Sequence, residues 1–319
     1  MRTCGGPSFE THACDVLLRM RSYLLLRFEQ FRAYWKDSRL GAVRRFLSVL
    51  LCLFCASPVM AQQATRVPVE QAGRTLQLAA QLYRPASPQP LPAVAIFHGC
   101  GGVGVNNTRM AELLRSWGYV ALVVDSFSAR GLKDVCGRNW PTQAAAEARA
   151  HDIDAALAWL GKQSFVDGKR LAFMGYSYGG GVAMLRALSP SSDTTAPTPA
   201  RAAILVYPDC ALADALGAKL AVHQPTLIAM AALDDWTPVS QCKAVLDRIV
   251  QGRDLIESHI YEGAYHSFDA LGLPVRYLEG VGNRSKPGGC CGAHYGANEA
   301  AWKAFVADVK AFLAKSLGP

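Results

Sequence analysis

Beyond about residue 62 the chain alternates short apolar runs with longer segments in which apolar residues recur every three or four positions. Such short runs are typical of buried strands, and the longer segments are typical of amphipathic helices. The pattern predicts strands over residues 66–70, 75–83, 92–97, 119–124, 170–174, 201–206, 225–231 and 255–261. It predicts helices over residues 107–117, 143–161, 179–189, 239–251 and 298–316.

The alternation of strands and helices predicts the α/β class. Most of the strands are apolar throughout, as expected when both faces of a parallel sheet are covered by helices. We therefore expect a mostly parallel, twisted sheet of about eight strands with helices on both faces. The stretch rich in proline and polar residues at 189–199 is predicted to be a surface loop. We predict one domain over residues 62–319.

The leader has a different pattern. Arg44 and Arg45 precede an apolar run over residues 46–56 and a segment of small residues that ends at Ala61. This is the pattern of a secretory signal peptide, predicted here over residues 43–61 with cleavage after Ala61. The apolar run is shorter than the about 20 residues that span a bilayer, although an uncleaved anchor remains an alternative. We expect an exported protein, periplasmic or secreted, without stable membrane insertion once the signal is removed.

Residues 1–42 form an N-terminal extension ahead of that signal. One hypothesis is that translation begins at Val43 and that the upstream stretch is an artefact of the gene model. The other is an interfacial helix over Leu17–Trp35, which has an amphipathic pattern.

The charged residues give little information about the chain that follows the leader. The net charge is +8, but residues 1–61 contribute more than half of it, and no basic stripe follows. We therefore expect no nucleic-acid partner. With 51% hydrophobic and 18% charged residues, the chain can bury a sizeable core. The pattern does not indicate an oligomeric state.

Six cysteines follow the signal, an even number that favours disulfides in an oxidising compartment. The pairs we favour are Cys100–Cys136 and Cys210–Cys242, because each joins loops expected at the same edge of the sheet. Buried thiols are the alternative reading. The adjacent Cys290 and Cys291, with His294, offer too few ligands at usable spacing for a metal site, and we predict none.

The apolar strand that ends at Met174 runs directly into Gly-Tyr-Ser-Tyr-Gly at residues 175–179. A G-x-S-x-G motif between a strand and a helix predicts a nucleophile elbow, in which the serine hydroxyl is exposed above the sheet. Ser177 is therefore the candidate nucleophile, with a structural turn as the alternative.

A serine nucleophile needs a base, and the base needs an acid that orients it. In this architecture both follow the serine, each after a later strand. His266 is the candidate base. Asp234 is favoured as the acid because it is nearer the end of its strand, while Asp235 remains open; the other aspartate would cap the helix that begins near Pro238. The oxyanion hole is predicted from the backbone N–H groups of Tyr178 and Cys100.

These segments, residues 98–102, 175–180, 234–238 and 264–268, together resemble the dienelactone hydrolase family of the α/β-hydrolase superfamily. The resemblance covers roughly residues 70–316. It implies a single α/β-hydrolase domain that hydrolyses small esters or lactones through a nucleophile–His–Asp triad, without metal or cofactor.

The resemblance also implies differences from the name-giving enzymes, which use a cysteine where this chain has Ser177. Their glutamate in the loop after the third strand matches Gly99, and the second of two arginines that bind the substrate carboxylate falls near Ala270. The first matches Arg130, a candidate substrate-binding residue, although a solvated charged loop is an equal reading. Trp236 is a candidate wall of the pocket.

The sequence therefore predicts a serine hydrolase of small carboxylic esters or lactones. Two alternatives are a small serine peptidase of the prolyl-oligopeptidase type and a non-catalytic binding protein on a hydrolase scaffold.

Overall fold

The computed structural model describes residues 62–137, 141–190 and 200–318, which belong to one structural unit, Met60–Pro319. The predicted N-terminal extension and signal peptide, residues 1–61, lie outside the described residues. So does most of the loop predicted at 189–199.

Thirteen strands and five α-helices are found in this part of the chain. The strands are β1 (Gln63–Gln71), β2 (Arg74–Tyr83), β3 (Leu91–Phe97), β4 (Val120–Asp125), β5 (Val166–Tyr176), β6 (Leu188–Pro190), β7 (Ala202–Val206), β8 (Leu220–Val222), β9 (Thr226–Ala231), β10 (Ile249–Gln251), β11 (Ile256–Tyr261), β12 (Arg276–Leu278) and β13 (Ala293–Tyr295). The helices are α1 (Val105–Ser116), α2 (Gln143–Gly161), α3 (Tyr178–Ala187), α4 (Val239–Asp247) and α5 (Glu299–Leu317).

The main sheet has eight strands in the order β1-β2-β4-β3-β5-β7-β9-β11. The pairs β1–β2 and β2–β4 are antiparallel, and the other five pairs are parallel. Strands β7 and β9 are buried along their whole length, whereas β1 alternates between buried and exposed residues. This difference follows from position, because only the inner strands are covered on both faces. The predicted α/β class and the mostly parallel sheet of eight strands are confirmed.

Helices cover both faces of the sheet. On one face α2, α3 and α4 pack through residues such as Ile153, Val182 and Val245. On the other face α1 and α5 pack through Leu114 and Phe305. Because β3, β4, β5, β7, β9 and β11 run parallel, the loops that follow them lie along the same edge of the sheet. The candidate catalytic residues Ser177, Asp234 and His266 belong to these loops.

The pattern missed several element boundaries; β5, for example, begins at Val166 rather than at residue 170, and α3 ends at Ala187 rather than at residue 189. Helix α4 ends at Asp247, four residues earlier than predicted, because Ile249 and Gln251 pair with β8 instead. The short strands of two small sheets, β6-β8-β10 and β12-β13, were also not predicted. A strand of three residues is too short to show a periodic pattern, so its pairing partner determines it.

Within the described ranges, no helix combines the length and the apolar character needed to cross a membrane.

Candidate active site

Ser177 lies on a tight turn between β5 and α3. Its backbone has φ 55° and ψ −120°, a conformation with positive φ that non-glycine residues seldom adopt. The turn is held by the end of β7, since the N–H of Ser177 donates to the carbonyl of Val206 at 2.9 Å. The carbonyl of Ser177 accepts the N–H groups of Gly181 and Asp209. The surrounding hydrogen bonds therefore maintain a strained turn that presents the serine at the edge of the sheet.

The two glycines that flank Ser177, Gly175 and Gly179, are required for a steric reason. A Cβ atom at Gly175 would overlap the carbonyl oxygen of Gly179, and one at Gly179 would overlap the carbonyl oxygen of His98. Any side chain at either position would push α3 away from the turn or away from the loop after β3. This is the close backbone approach for which glycine is required.

The structure brings Ser177, His266 and Asp234 into one chain of hydrogen bonds. Nε2 of His266 lies 2.8 Å from Oγ of Ser177, and Nδ1 of His266 lies 2.8 Å from Oδ2 of Asp234. A carboxylate accepts, so Nδ1 carries the proton, and Nε2 is left to accept from the serine hydroxyl. All three side chains are buried.

Asp234 is fixed by the turn that follows it. Its Oδ1 accepts the backbone N–H groups of Trp236 and Thr237 at 2.9 and 2.8 Å, and the Thr237 hydroxyl donates to Oδ2 at 3.0 Å. These bonds orient the carboxylate and satisfy it as an anion. Thr237 was not among the residues singled out from the sequence, although its place three residues after Asp234 is typical of such a turn.

Asp235 points elsewhere and does not cap α4, contrary to prediction. Its carboxylate binds His294, accepting the backbone N–H and facing the ring Nδ1, each at 2.8 Å. Helix α4 begins after Pro238 without a side-chain cap. Two adjacent aspartates therefore hold two different histidines, and only Asp234 reaches His266.

The imidazole of His266 is packed between aromatic rings. The centroids of Tyr207 and Trp236 lie 4.7 and 4.9 Å from that of His266. The Tyr207 hydroxyl donates to Oδ1 of Asp269 at 2.8 Å, within the segment that carries His266. Burial raises the pKa of Asp269. Nε1 of Trp236 donates to the carbonyl of Gly282 at 2.8 Å. These contacts fix the plane of the His266 ring.

The loop over residues 98–102 passes directly over the nucleophile. A Cβ atom built on Gly99 would lie 3.3 Å from Cβ of Ser177. His98 anchors the loop, since its Nε2 accepts the N–H of Ser126 at 3.2 Å and its Nδ1 lies 2.7 Å from the carbonyl of Gly99. Burial lowers the pKa of His98 to about 3, and the charge of Arg149 acts in the same direction. The ring is therefore neutral at physiological pH.

A cleft of about 300 Å³ opens beside Ser177 and His266. Its walls include Cys100 from the loop after β3, Trp236, and Leu278 and Tyr295 from β12 and β13. Tyr178 does not line this cleft, although as the first residue of α3 it follows Ser177 directly. The same cleft is therefore lined by Cys100, Trp236 and Ser177.

The structure contains the two disulfides favoured from the sequence. Cys100–Cys136 and Cys210–Cys242 each have a Cα–Cα distance of 5.0 Å, a normal value for a disulfide. It also joins the adjacent Cys290 and Cys291, a pair that the sequence did not suggest. The first disulfide ties the loop over Ser177 to the segment after β4.

Arg130 is not brought to the cleft. Its guanidinium forms a bidentate ion pair with Asp152 of α2, with distances of 2.8 and 2.9 Å, and also donates to Gln71 and to the carbonyl of Ser126. The partner on α2 explains the difference from the sequence-based expectation, because a buried carboxylate attracts a guanidinium more strongly than an open cleft does. Lys133 lies exposed in the same loop, and Arg138 lies outside the described residues.

In the part of the chain that the structure describes, no group of three or more His, Cys, Asp or Glu side chains could hold a metal ion.

Comparison with known proteins identifies the family of this chain. The model of the dienelactone hydrolase family matches residues 78–314, which include the elbow, the loop over it and both later loops. The chain belongs to the dienelactone hydrolase family. Membership establishes a carboxylic ester or lactone hydrolase. A curated Bradyrhizobium protein named "Probable 2-oxo-3-(5-oxofuran-2-ylidene)propanoate lactonase" is 26% identical over 194 residues, which cover 59% of this chain and 78% of that protein.

Solved structures of this family and of related esterases have the same fold. A dienelactone hydrolase from Anabaena variabilis matches with a TM-score of 0.54 at 18% identity, covering 80% of this chain and 99% of that one. Thermogutta terrifontis esterase 2, phosphonylated by cyclosarin, matches with a TM-score of 0.57 at 18% identity, covering 83% and 98%. P91, a dienelactone hydrolase-like promiscuous phosphotriesterase from metagenomic libraries, gives 0.55 at 19% identity, covering 81% and 100%. The fold of this dienelactone hydrolase family member is therefore the α/β-hydrolase fold.

Proposed function

We propose that this protein is a serine hydrolase that cleaves a small carboxylic ester or lactone through an acyl-enzyme. The observation that carries the proposal is the chain of hydrogen bonds from Ser177 through His266 to Asp234. It supports general-base activation of the serine, because the tautomer of His266 leaves Nε2 able to accept the serine proton. The burial of all three side chains strengthens each interaction by excluding water.

The chemistry follows from this arrangement. Oγ of Ser177 attacks the carbonyl carbon while its proton moves to Nε2 of His266. The resulting tetrahedral intermediate collapses, and His266 returns the proton to the leaving alkoxide. Water then attacks the acyl-enzyme, again with His266 as the base, and releases the acid. Asp234 stabilises the imidazolium in both steps without accepting the proton itself.

The negative charge on the intermediate requires donors close to the nucleophile. The N–H of Tyr178 lies at the start of α3, where the helix dipole is positive. The N–H of Cys100 belongs to the loop that passes over Ser177. We assign the oxyanion hole to these two groups, because preorganised N–H donors from these two places serve other elbow hydrolases.

The size of the substrate is limited by the cleft. Its volume of about 300 Å³ is at the lower end of ligand pockets, which suits a short acyl group or a small lactone. The named lactonase among the relatives supports testing lactones beside esters.

The direct test is Ser177→Ala, with Ser116→Ala, an exposed serine on α1, as the matched control. We expect the Ser177→Ala protein to lose turnover of p-nitrophenyl acetate and labelling by a fluorophosphonate probe, while the control keeps both. A Ser177→Ala protein that still takes up the probe would contradict the proposal. A panel of p-nitrophenyl esters of increasing chain length, together with five- and six-membered lactones, would then define the substrate.

We further propose that the protein is exported and that its signal peptide is removed after Ala61. The charged, apolar and small-residue segments of the leader support this, as does the presence of two well-formed disulfides in the domain. Mass spectrometry of the protein purified from its native cells should give Gln62 as the first residue. A mature chain that retains residues 43–61 would contradict removal.

A further inference from the structure

The side chain of His98 lies beneath the loop that passes over Ser177, on the side away from the cleft. It is fully buried, and Gly99 and Cys100 line the cleft whereas His98 does not. The ring of Phe127 packs edge-on against the imidazole, with the two centroids 4.4 Å apart. The catalytic steps proposed above leave this buried, titratable ring without a role.

Two neighbouring groups fix the tautomer of His98. The backbone N–H of Ser126 lies 3.2 Å from Nε2, and a backbone N–H can only donate, so Nε2 must accept. Nδ1 therefore carries the proton, and it lies 2.7 Å from the carbonyl oxygen of Gly99, which can only accept. Nη2 of Arg149 is farther from Nδ1, at 3.3 Å, and donates to the carbonyl of His98 at 2.6 Å. His98 thus donates from Nδ1 to Gly99.

The imidazole keeps this tautomer at neutral pH. Burial, together with the charge of Arg149, lowers the pKa of His98 to about 3, so the ring does not gain a second proton. The N–H of Ser126 belongs to the main chain directly after β4 and does not titrate. Oδ1 of Asp125 accepts the next two N–H groups of this turn and holds it in place. The donor at Nδ1 is therefore determined by the end of a sheet strand.

The hydrogen bond to Gly99 orients the peptide group between Gly99 and Cys100. This peptide group is trans, so its C=O and its N–H point in opposite directions. Because the carbonyl points to His98, the N–H of Cys100 points away from the ring. That direction leads to the cleft, which Gly99 and Cys100 line.

The N–H of Cys100 is able to take a new acceptor. Within the described residues, no carbonyl and no side chain accepts from it. A Cβ atom built on Gly99 would lie 3.3 Å from Cβ and 3.8 Å from Oγ of Ser177, so the peptide group lies beside the nucleophile. Backbone N–H groups without a partner are rare in folded proteins, and one in this place is available to an oxyanion.

We propose that His98 is a positioning residue for the oxyanion hole: its Nδ1–H holds the carbonyl of Gly99 and thereby directs the N–H of Cys100 at the substrate oxygen that becomes negative. The inference rests on the proposed function, because an oxyanion forms only if Ser177 attacks a carbonyl. His98 itself touches neither the substrate nor the reacting atoms. Without its bond, the peptide group is free to rotate about Gly99, which lacks a side chain, and to turn its carbonyl towards the oxyanion.

Asparagine and glutamine each reproduce one half of the imidazole. The amide nitrogen of asparagine is as many bonds from Cα as Nδ1, so His98→Asn retains a donor for the carbonyl of Gly99. The amide of glutamine reaches as far as Nε2, so His98→Gln retains an acceptor for Ser126 but loses the donor to Gly99. Both variants lose the ring that packs against Phe127, so both should lower Tm by a similar amount.

The two variants should differ in catalysis. We expect kcat for p-nitrophenyl acetate to fall roughly 100-fold in His98→Gln and by no more than about fivefold in His98→Asn. KM should stay unchanged in both, because the donor faces the oxygen only once it has become negative. Titration with a fluorophosphonate probe gives kcat per active site, so a partly unfolded sample does not lower it. His151→Gln, an exposed residue of α2, is the matched control and should keep full kcat.

A stable adduct tests the same contact without turnover. A trifluoromethyl ketone forms a tetrahedral adduct with a serine nucleophile, and this adduct carries the same negative oxygen. Its inhibition constant should rise roughly 100-fold in His98→Gln, in step with the fall in kcat, and should change little in His98→Asn.

The tautomer is measured in the unmodified protein, so this part of the test does not depend on whether the variants fold. Two-bond ¹H–¹⁵N spectra of ¹⁵N-histidine-labelled protein should show an Nδ1–H tautomer for a ring that stays neutral down to about pH 4. The absence of that signal in His98→Asn assigns it. An Nε2–H tautomer for His98 would overturn the proposal.

Failure of the positioning role is distinguishable from failure of the proposed function. Equal losses of kcat in His98→Gln and His98→Asn, or an unchanged kcat in both, would refute the positioning role while Ser177→Ala remained inactive. A rise in KM without a fall in kcat in His98→Gln would refute it too, because His98 would then act on substrate binding. A Ser177→Ala protein that kept its activity would overturn both proposals.

Discussion

Asp234→Asn should almost abolish activity while leaving the fold intact, and the structure shows why. Oδ1 of Asp234 faces two fixed donors, the N–H groups of Trp236 and Thr237. An asparagine must therefore place its carbonyl oxygen there, because its amino group would be repelled by them. Its amino group then takes the position of Oδ2, directed at Nδ1 of His266.

That orientation reverses the tautomer of His266. Nδ1 must accept from the asparagine, so the ring proton moves to Nε2, which can then no longer accept from Ser177. Under the proposed mechanism the base is lost, and we expect kcat to fall ~10⁴-fold, which corresponds to about 5 kcal/mol of transition-state stabilisation. Because the carbonyl keeps both backbone hydrogen bonds, Tm should change by only a few degrees.

The assay is the pH dependence of p-nitrophenyl acetate hydrolysis, with kcat and KM determined separately. Asp235→Asn is the matched control, because the same change one residue away affects His294 rather than His266. We expect the control to retain kcat within about threefold. The reasoning would be refuted if Asp234→Asn kept more than about a tenth of the activity, or if both variants lost activity equally.

Three further predictions follow from the same contacts. Thr237→Val removes the hydroxyl that donates to Asp234, so kcat should fall by about tenfold, the effect of one hydrogen bond to a charged group, while KM stays the same; an unchanged kcat would show that the two backbone bonds suffice. Replacing Cys100 and Cys136 together by serine should lower the free energy of unfolding by about 4 kcal/mol, measured by urea denaturation, because the disulfide spans a sequence separation of 36 residues; the Cys210 and Cys242 pair, with a separation of 32, should cost the same. Because folding lowers the pKa of His98 to about 3, the unfolded chain binds its proton first, so stability should decrease from pH 6.5 to pH 3 by up to roughly 5 kcal/mol, and His98→Gln should flatten this dependence whereas His151→Gln, an exposed control, should not.

The parts of the fold that were predictable from the sequence are those with a local cause. The inner strands of the main sheet, such as β7 and β9, are apolar because helices cover both of their faces, so their positions can be read from the sequence. Helix α2 was predicted to the residue, because Thr142 caps its start and its alanine-rich sequence contains no proline or glycine before Gly161. The end of α4 was not, since Ile249 and Gln251 pair with a strand nearly thirty residues earlier.

For the candidate site, chain order indicated Ser177 and His266, because each lies in the segment that follows a strand of the main sheet. Asp234 and Asp235 are distinguished by their contacts: Asp234 accepts two backbone N–H groups, whereas Asp235 binds His294. The spacing of residues along the chain does not reveal these contacts. Arg130 looked available because its partner Asp152 is 22 residues away on a helix. The sequence pattern did not predict that Arg149 is buried, because an arginine within a helix usually lies on the surface; its burial is seen only in the structure.

The disulfide and the hydrogen bonds that join the segments around the cleft have a consequence for the order of folding. Cys100 is joined to Cys136, the carbonyl of Cys136 accepts the N–H of Gly282, and the carbonyl of Gly282 accepts from Trp236. This series of bonds connects four segments of the domain, and Gly282, the latest of them along the chain, lies 37 residues before the C-terminus (319 − 282). The sheet can therefore begin to form early in synthesis, but the walls of the cleft close only when almost the whole chain has emerged.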